Sequence, residues 1–220
     1  MMGEAAHHLG RVLRAEPGQM YELSDGERVW LGRIEKVGRE RVEFSLVEPI
    51  ASRESALEAA LLLSIVKFDS FEWALEKATE LGVRTIIPVA AARSEKALLN
   101  AAGKRAERWK KILLEAAQQS RRLKMPELSS VEKPSQAFAR SAELKLIFSE
   151  RAEAKPLKEI VRGVQVKQAV AAIGPEGGWT DEEFAEAEAA GFQQASLGSL
   201  ILRTETAVAA AVSNLNYALG

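Results

Sequence analysis

Residues 173–206 read IGPEGGWTDEEFAEAEAAGFQQASLGSLILRTET, and this stretch indicates both a fold class and a site. The turn-forming run GPEGG at 174–178 follows the apolar run 169–173 and precedes a capping-box pattern that begins at Thr180. A strand, a glycine turn and a helix are therefore predicted over 169–190. Ligands of α/β proteins bind outside the carboxyl ends of the strands, where glycines let the backbone approach them. A tight strand-to-helix connection without a ligand is the alternative.

Alternating strand and helix patterns continue through most of the chain on both sides of this turn. The apolar run 61–66, the helix-spaced apolar residues within 71–81 and the β-like run 84–89 predict one βαβ unit. Further strands are predicted at 145–148, 166–173 and 195–202, and helices at 101–124 and 207–219. This order predicts an α/β domain with a parallel sheet over residues 53–220.

The first 52 residues show a different pattern, in which short alternating strands are separated by close turns. Such a segment is typical of a small β-barrel. Basic side chains in this half are candidates for contact with RNA phosphates, with ordinary solvated positions as the alternative: Arg11, Arg14 and Arg33.

Composition excludes several kinds of chemistry. The chain has 220 residues and no cysteine, which excludes disulfides, thiol nucleophiles and thiolate metal sites, and with two histidines we expect no metal. The start, MMGEAAHH, lacks a basic and apolar leader, and no apolar run approaches the length of a membrane span, so a cytoplasmic protein is expected. The net charge of −1 still permits RNA binding, which needs only a local basic patch.

Two ordered motifs carry a resemblance to a known family. GPEGGWTDEEF at 174–184, followed by LGSLILRTETA at 197–207, resembles the C-terminal signature of the RsmE-type 16S ribosomal RNA uridine N3-methyltransferases. These enzymes belong to the SPOUT class of trefoil-knotted methyltransferases. Upstream segments are similar too: HHLGRVLR at 7–14, KFDSFEWALEKATELGV at 67–83 and QQSRR at 118–122.

The resemblance implies an architecture for the chain. It implies a PUA-like β-barrel over 1–52, a trefoil knot in the α/β domain, and a homodimer in which each site is completed across the interface. The chain departs from the family pattern at its start, where the family has a further apolar strand before the segment 7–14.

The resemblance also implies S-adenosylmethionine as cofactor, held by three loops. The chain has neither a GxGxxG fingerprint nor a P-loop motif, which fits a nucleoside cofactor held without a phosphate cradle. The residues expected to bind it are Phe148, Ser149, Glu150, Ile173, Gly174, Pro175, Glu176, Gly177, Gly178, Leu197, Gly198, Leu200, Leu202 and Arg203.

Methylation of uridine at N3 requires an unstacked base, loss of the N3 proton and alignment with the methyl donor. We expect Arg203 to stabilise the uracil anion, with an ion pair to Glu205 as its alternative role. Glu205 is the candidate base. Its alternative is a carboxylate at a helix N-terminus capped by Thr204 or Thr206.

Further RNA contacts are expected in the second half of the chain, from Lys67, Arg121 and Arg122. The two arginines also have a structural explanation, because cations at a helix C-terminus are favoured by the helix dipole. The expected partner is 16S ribosomal RNA or the small ribosomal subunit. A SPOUT enzyme acting on a ribose 2′-hydroxyl or on transfer RNA is one alternative. The other is a non-catalytic RNA-binding protein, which would not hold S-adenosylmethionine.

Overall fold

A computed structural model of the protein describes residues 1–51 and 55–220. The chain divides into two compact units, Met1–Arg53 and Glu54–Gly220. The predicted domain boundary between residues 52 and 53 falls outside the described residues.

The N-terminal unit is an antiparallel sheet with a short helical segment before it. Its elements are α1 (Glu4–His7), a π-helical segment (His8–Val12), β1 (Met20–Ser24), β2 (Val29–Val37) and β3 (Val42–Ile50). The predicted strands are confirmed, and Ile34 and Val42 form a small core with Ala6 and Leu9. In the described residues, β1 and β3 each pair only with β2, so the strands of the predicted barrel form an open three-stranded sheet.

The C-terminal unit is an α/β domain, as predicted. Its elements are β4 (Glu58–Ser64), α2 (Phe68–Glu80), β5 (Thr85–Val89), α3 (Lys96–Ala102), α4 (Ala106–Gln119), β6 (Glu127–Leu128), α5 (Pro134–Phe138), β7 (Leu144–Phe148), β8 (Lys155–Pro156), α6 (Leu157–Ile160), β9 (Gln168–Ile173), α7 (Asp181–Ala189), β10 (Gln193–Ser196) and α8 (Thr204–Leu219). The seven strands pair in parallel in the order β6-β5-β4-β9-β7-β10-β8.

Helices cover both faces of this sheet, and the strand β4 shows how. Leu61 and Leu63 belong to one core cluster, whereas the intervening Leu62 belongs to another. Successive side chains of a strand point to opposite faces, so β4 is buried on both sides. The continuous apolar run that predicted a buried strand is thus explained.

Two predicted elements differ from the structure. The predicted helix 101–124 is interrupted by a 3₁₀ turn at Gly103–Arg105, so α3 and α4 are separate. The predicted strand 195–202 ends at Ser196. There the Ser196 hydroxyl donates to the Gly198 carbonyl (3.0 Å) and accepts from the Gly198 N–H (3.3 Å), which turns the chain. Gly198 has φ of 139°, a conformation that favours glycine.

An aromatic cluster fills the interface between α2 and α4. Trp109 is 2% exposed, and its ring centroid lies 4.6 Å from that of Phe71 and 6.1 Å from that of Phe68. Beside it, the buried carboxylate of Glu72 accepts from Nε of Arg108 at 2.8 Å. Trp109 is therefore a core residue of the domain. The trefoil knot stays a prediction.

No helix in the described parts of the chain combines the length and the apolar character needed to cross a membrane.

We expect Trp109→Ala to lower the free energy of unfolding by about 3–5 kcal/mol, because it removes a large buried side chain and leaves a cavity. Urea unfolding followed by far-UV circular dichroism measures the change. The matched control is Trp73→Ala, since Trp73 is 43% exposed and should cost less than about 1 kcal/mol. Equal losses in the two variants would contradict this account of the core.

Candidate active site

A pocket lies at the carboxyl ends of three adjacent strands. The strands β9, β7 and β10 are neighbours in the sheet and run parallel, so their carboxyl ends meet at one edge. Each strand contributes the loop that follows it. The predicted residues that line the pocket are Phe148, Ser149, Glu150, Ile173, Gly174, Pro175, Glu176, Gly177, Gly178, Leu197, Gly198, Leu200 and Leu202.

The glycine run after β9 forms a tight turn. The N–H of Gly178 donates to the Pro175 carbonyl at 2.8 Å, and Gly178 has φ of 70°, where a side chain would be strained. Gly174 is constrained by space instead, because a Cβ there would come within 3.0 Å of the Trp179 indole nitrogen. The turn therefore depends on glycine at two positions for two different reasons.

The loop that follows β5 holds this turn from the side. Nη1 of Arg93 donates to the Gly177 carbonyl at 2.7 Å and to the Trp179 carbonyl at 3.2 Å. The carboxylate of Glu183, which is 5% exposed, accepts from the Ala92 N–H and from the Thr180 N–H, each at 2.8 Å. Two charged side chains thus connect residues 92–93 to the start of α7.

The capping box predicted at the start of α7 is confirmed. The Thr180 hydroxyl accepts from the Glu183 N–H at 3.2 Å, and the Glu183 side chain accepts in return from the Thr180 N–H. Glu183 therefore stabilises its own helix and the neighbouring loop with the same carboxylate.

Sequence reasoning missed several residues that line the pocket: Arg93, Arg151, Trp179, Phe184, Ser196, Thr204 and Ala207. Arg93 lies 84 residues before its acceptor Gly177, and no local pattern connects the two. Its position shortly after β5 was the available signal, since polar residues after parallel strands gather at one edge of the sheet. Arg151 pairs with Asp181 and lies over the Phe184 ring at 4.0 Å.

The two candidate catalytic residues lie beside the pocket lining. Arg203 is exposed at the N-cap position of α8, between Leu202 and Thr204, which both line the pocket. Glu205 is half-buried in the first turn of the same helix. The described residues include no ion pair between Arg203 and Glu205, so the structure does not support that alternative.

The predicted capping of α8 by Thr204 or Thr206 is wrong. The N-cap residue is Arg203, and it makes no side-chain capping bond. The Thr204 hydroxyl instead donates to the Gly174 carbonyl at 3.2 Å. Thr204 thereby fastens the start of α8 to the glycine turn, which explains why it is buried.

The candidate RNA-binding residues occupy different environments in the two units. In the N-terminal unit Arg11 and Arg14 are exposed, and Nε of Arg33 pairs with Glu35 at 3.1 Å. In the C-terminal unit Lys67 is exposed at the N-cap of α2, and Arg121 is exposed with φ of 57°.

Arg122 has a clear structural role. Its Nη1 donates to the carbonyls of Thr79 and Val83, at 2.9 and 2.8 Å, and so connects the end of α4 to the end of α2. Within the described residues, no group of histidine, aspartate and glutamate side chains is arranged to hold a metal ion.

Comparison with known proteins places the chain in a family. A family model described as an RNA methyltransferase domain matches residues 53–216, and one described as an RNA methyltransferase PUA domain matches residues 3–47. A ribosomal RNA small subunit methyltransferase E of Synechocystis is 33% identical, over 97% of this chain and 71% of the relative. The chain belongs to the ribosomal RNA small subunit methyltransferase E family.

Two solved structures superpose on 99% or more of the chain. The methyltransferase E of Neisseria gonorrhoeae, bound to S-adenosyl methionine, is 33% identical with a TM-score of 0.87, covering 100% of this chain and 91% of that one. A methyltransferase of Legionella pneumophila, in complex with bound cofactor SAM, is 34% identical with a TM-score of 0.84, covering 99% and 90%. The predicted family is thus confirmed, as is the PUA-type assignment of the N-terminal unit.

We expect Glu183→Ala to lower the free energy of unfolding by about 2–4 kcal/mol, because the N–H groups of Ala92 and Thr180 lose a charged acceptor. The neighbouring Glu182 is exposed, so Glu182→Ala is the matched control and should cost less than about 1 kcal/mol. Urea unfolding of both variants measures the difference. A Glu183→Ala protein as stable as the control would show that this carboxylate does not hold the 92–93 loop.

Proposed function

We propose that the protein transfers a methyl group from S-adenosylmethionine to N3 of a uridine in 16S ribosomal RNA of the small ribosomal subunit. One observation carries the proposal most directly. The pocket at the three strand ends lies within the segment matched by the RNA methyltransferase family model, and the similar structures from Neisseria and Legionella are described with the methyl donor bound. The uridine N3 position rests on the resemblance of the two C-terminal motifs.

The residues of the pocket fit a nucleoside cofactor. Phe148 and Ile173 supply apolar walls, and Leu197 and Ala207 pack against the same core cluster. Gly198 has no other atom within 4 Å of the place where a Cβ would stand, so its backbone is open to a ligand. Apolar walls with a few backbone hydrogen-bonding groups suit a flat adenine ring. When bound, the cofactor supplies an electrophilic methyl group on its sulfonium.

The chain's own task is to hold the uracil and manage its proton. A paired or stacked uracil has a blocked N3 edge, so the base must be presented unstacked. The anion that remains after loss of the N3 proton needs a positive partner, and we assign that role to Arg203. The N-terminus of α8 adds to it, because the N–H groups of a helix start carry partial positive charge. Glu205 is the candidate for accepting the proton.

Recognition of the RNA is assigned to both units. In the PUA-type unit, we propose that the exposed arginines Arg11 and Arg14 contact RNA phosphates together with Arg33. In the methyltransferase unit, we propose the same role for Lys67 and Arg121. Arg122 is already tied to two backbone carbonyls, which makes it the weakest of the proposed contacts. We also propose that the protein forms a homodimer and is located in the cytoplasm.

Calorimetric titration with S-adenosylhomocysteine, followed by an assay on small-subunit RNA, tests the function. We expect micromolar binding of about one ligand per chain and N3-methyluridine in the digested RNA. Methylation at a ribose 2′-hydroxyl would replace the proposed reaction with another of the same class. A protein that binds RNA but no S-adenosylhomocysteine would be a non-catalytic RNA-binding module.

We expect Arg203→Ala to lower the single-turnover rate by roughly 100-fold, the scale of losing a group that stabilises developing charge. Affinity for S-adenosylhomocysteine should stay close to that of the wild type. The matched control is Arg162→Ala, which removes an exposed arginine that does not line the pocket. A wild-type rate in Arg203→Ala would remove this residue from the mechanism.

A further inference from the structure

The pocket has an apolar side and a charged side. The apolar side is built by residues of the main core cluster, among them Phe148, Ile173 and Ala207, near the start of α8. The charged side comprises Glu150 and Arg93, which lie beside Gly178 of the glycine turn. A ligand that fits both sides must carry an apolar body and a charged end.

Glu150 and Arg93 face the same point of the glycine turn. A Cβ placed on Gly178 would lie 3.8 Å from Oε1 of Glu150 and 3.9 Å from Nη1 of Arg93. Both side chains line the pocket, yet they form no ion pair with each other among the described residues. A carboxylate and a guanidinium therefore both approach one point beside Gly178 without pairing with each other.

Neither group is fully used by the protein. Glu150 is exposed, and it has no hydrogen bond or ion pair among the described contacts. Arg93 donates through Nη1 to the carbonyls of Gly177 and Trp179, which orients its guanidinium. A guanidinium has five N–H donors, so donors remain for a further acceptor.

We propose that Glu150 and Arg93 bind the amino-acid end of the cofactor. This inference rests on the proposed function. The α-ammonium group of the cofactor donates to the Glu150 carboxylate, and its α-carboxylate accepts from the Arg93 guanidinium, because charge-assisted hydrogen bonds of this kind are the strong ones. The adenine then occupies the apolar side, and the methionine chain runs along the glycine turn.

Two ligands that differ in the amino-acid end should respond differently to changes at Glu150 and Arg93. S-adenosylhomocysteine carries the amino-acid end, whereas 5′-methylthioadenosine keeps the adenine, the ribose and the sulfur but lacks it. Groups that bind only the amino-acid end must influence the first ligand and leave the second unaffected. A carboxylate that instead accepted from the ribose hydroxyls would influence both.

Calorimetric titration of both ligands is therefore carried out on the wild type, Glu150→Gln and Arg93→Met. We expect each variant to bind S-adenosylhomocysteine about tenfold more weakly, because one charged hydrogen bond is lost in an open pocket. The affinity for 5′-methylthioadenosine should be unchanged. Arg93→Lys keeps the charge and should recover part of the lost affinity. Glu153→Gln and Arg162→Met are matched controls, because both residues are exposed and neither lines the pocket.

If Glu150→Gln lost equal affinity for the two ligands, Glu150 would be assigned to the ribose, and its proposed contact with the amino-acid end would be overturned. Equal losses in Arg93→Met would show that Arg93 only shapes the turn. Unchanged affinities would overturn both assignments. A wild-type protein that binds neither ligand would instead overturn the proposed function, and this inference with it.

Discussion

The site depends on a carboxylate that is not part of the pocket lining. Glu183 is buried at the start of α7, where it accepts from the Thr180 N–H of its own helix and from the Ala92 N–H of a distant loop. A buried charge is costly unless it is fully hydrogen-bonded, so the two segments must stay together for the domain to be stable. Arg93, the next residue of that loop, can then hold the carbonyls of Gly177 and Trp179.

These contacts restrain a turn that its glycine residues alone would leave flexible. Glycine gives the backbone access to a ligand but has no side chain to fix the turn, and ordering it costs more conformational entropy than any other residue. The chain supplies the missing restraint from outside. Arg93 holds one side of the turn, and Thr204 holds the other through the Gly174 carbonyl at 3.2 Å. The glycines stay accessible to a ligand because residues of other elements make the hydrogen bonds that fix the turn.

Short sequence patterns predicted the features that depend only on residues close together in the chain. The buried run 61–66, the capping box at Thr180 and the glycine turn at 174–178 each form from neighbouring residues, and each is present. The run 197–202 reads as a strand by composition, but the bonds between Ser196 and Gly198 turn it into a loop. Arg93 escaped notice because its importance arises only when β5 and β9 lie in one sheet. The roles of Arg203 and Glu205 still rest on the resemblance.

The order of strands has a consequence for synthesis of the chain on the ribosome. The central strand β9 lies between β4 and β7, and the pocket also needs the loop after β10, which ends next to α8. A nascent chain that has emerged only as far as residue 190 therefore contains the glycine turn but not the lining residues between Ser196 and Ala207. Non-local pairings of this kind close late in folding, since the cost of closing the intervening loop comes first. The lining of this pocket is therefore complete only after residues 196–207 have emerged.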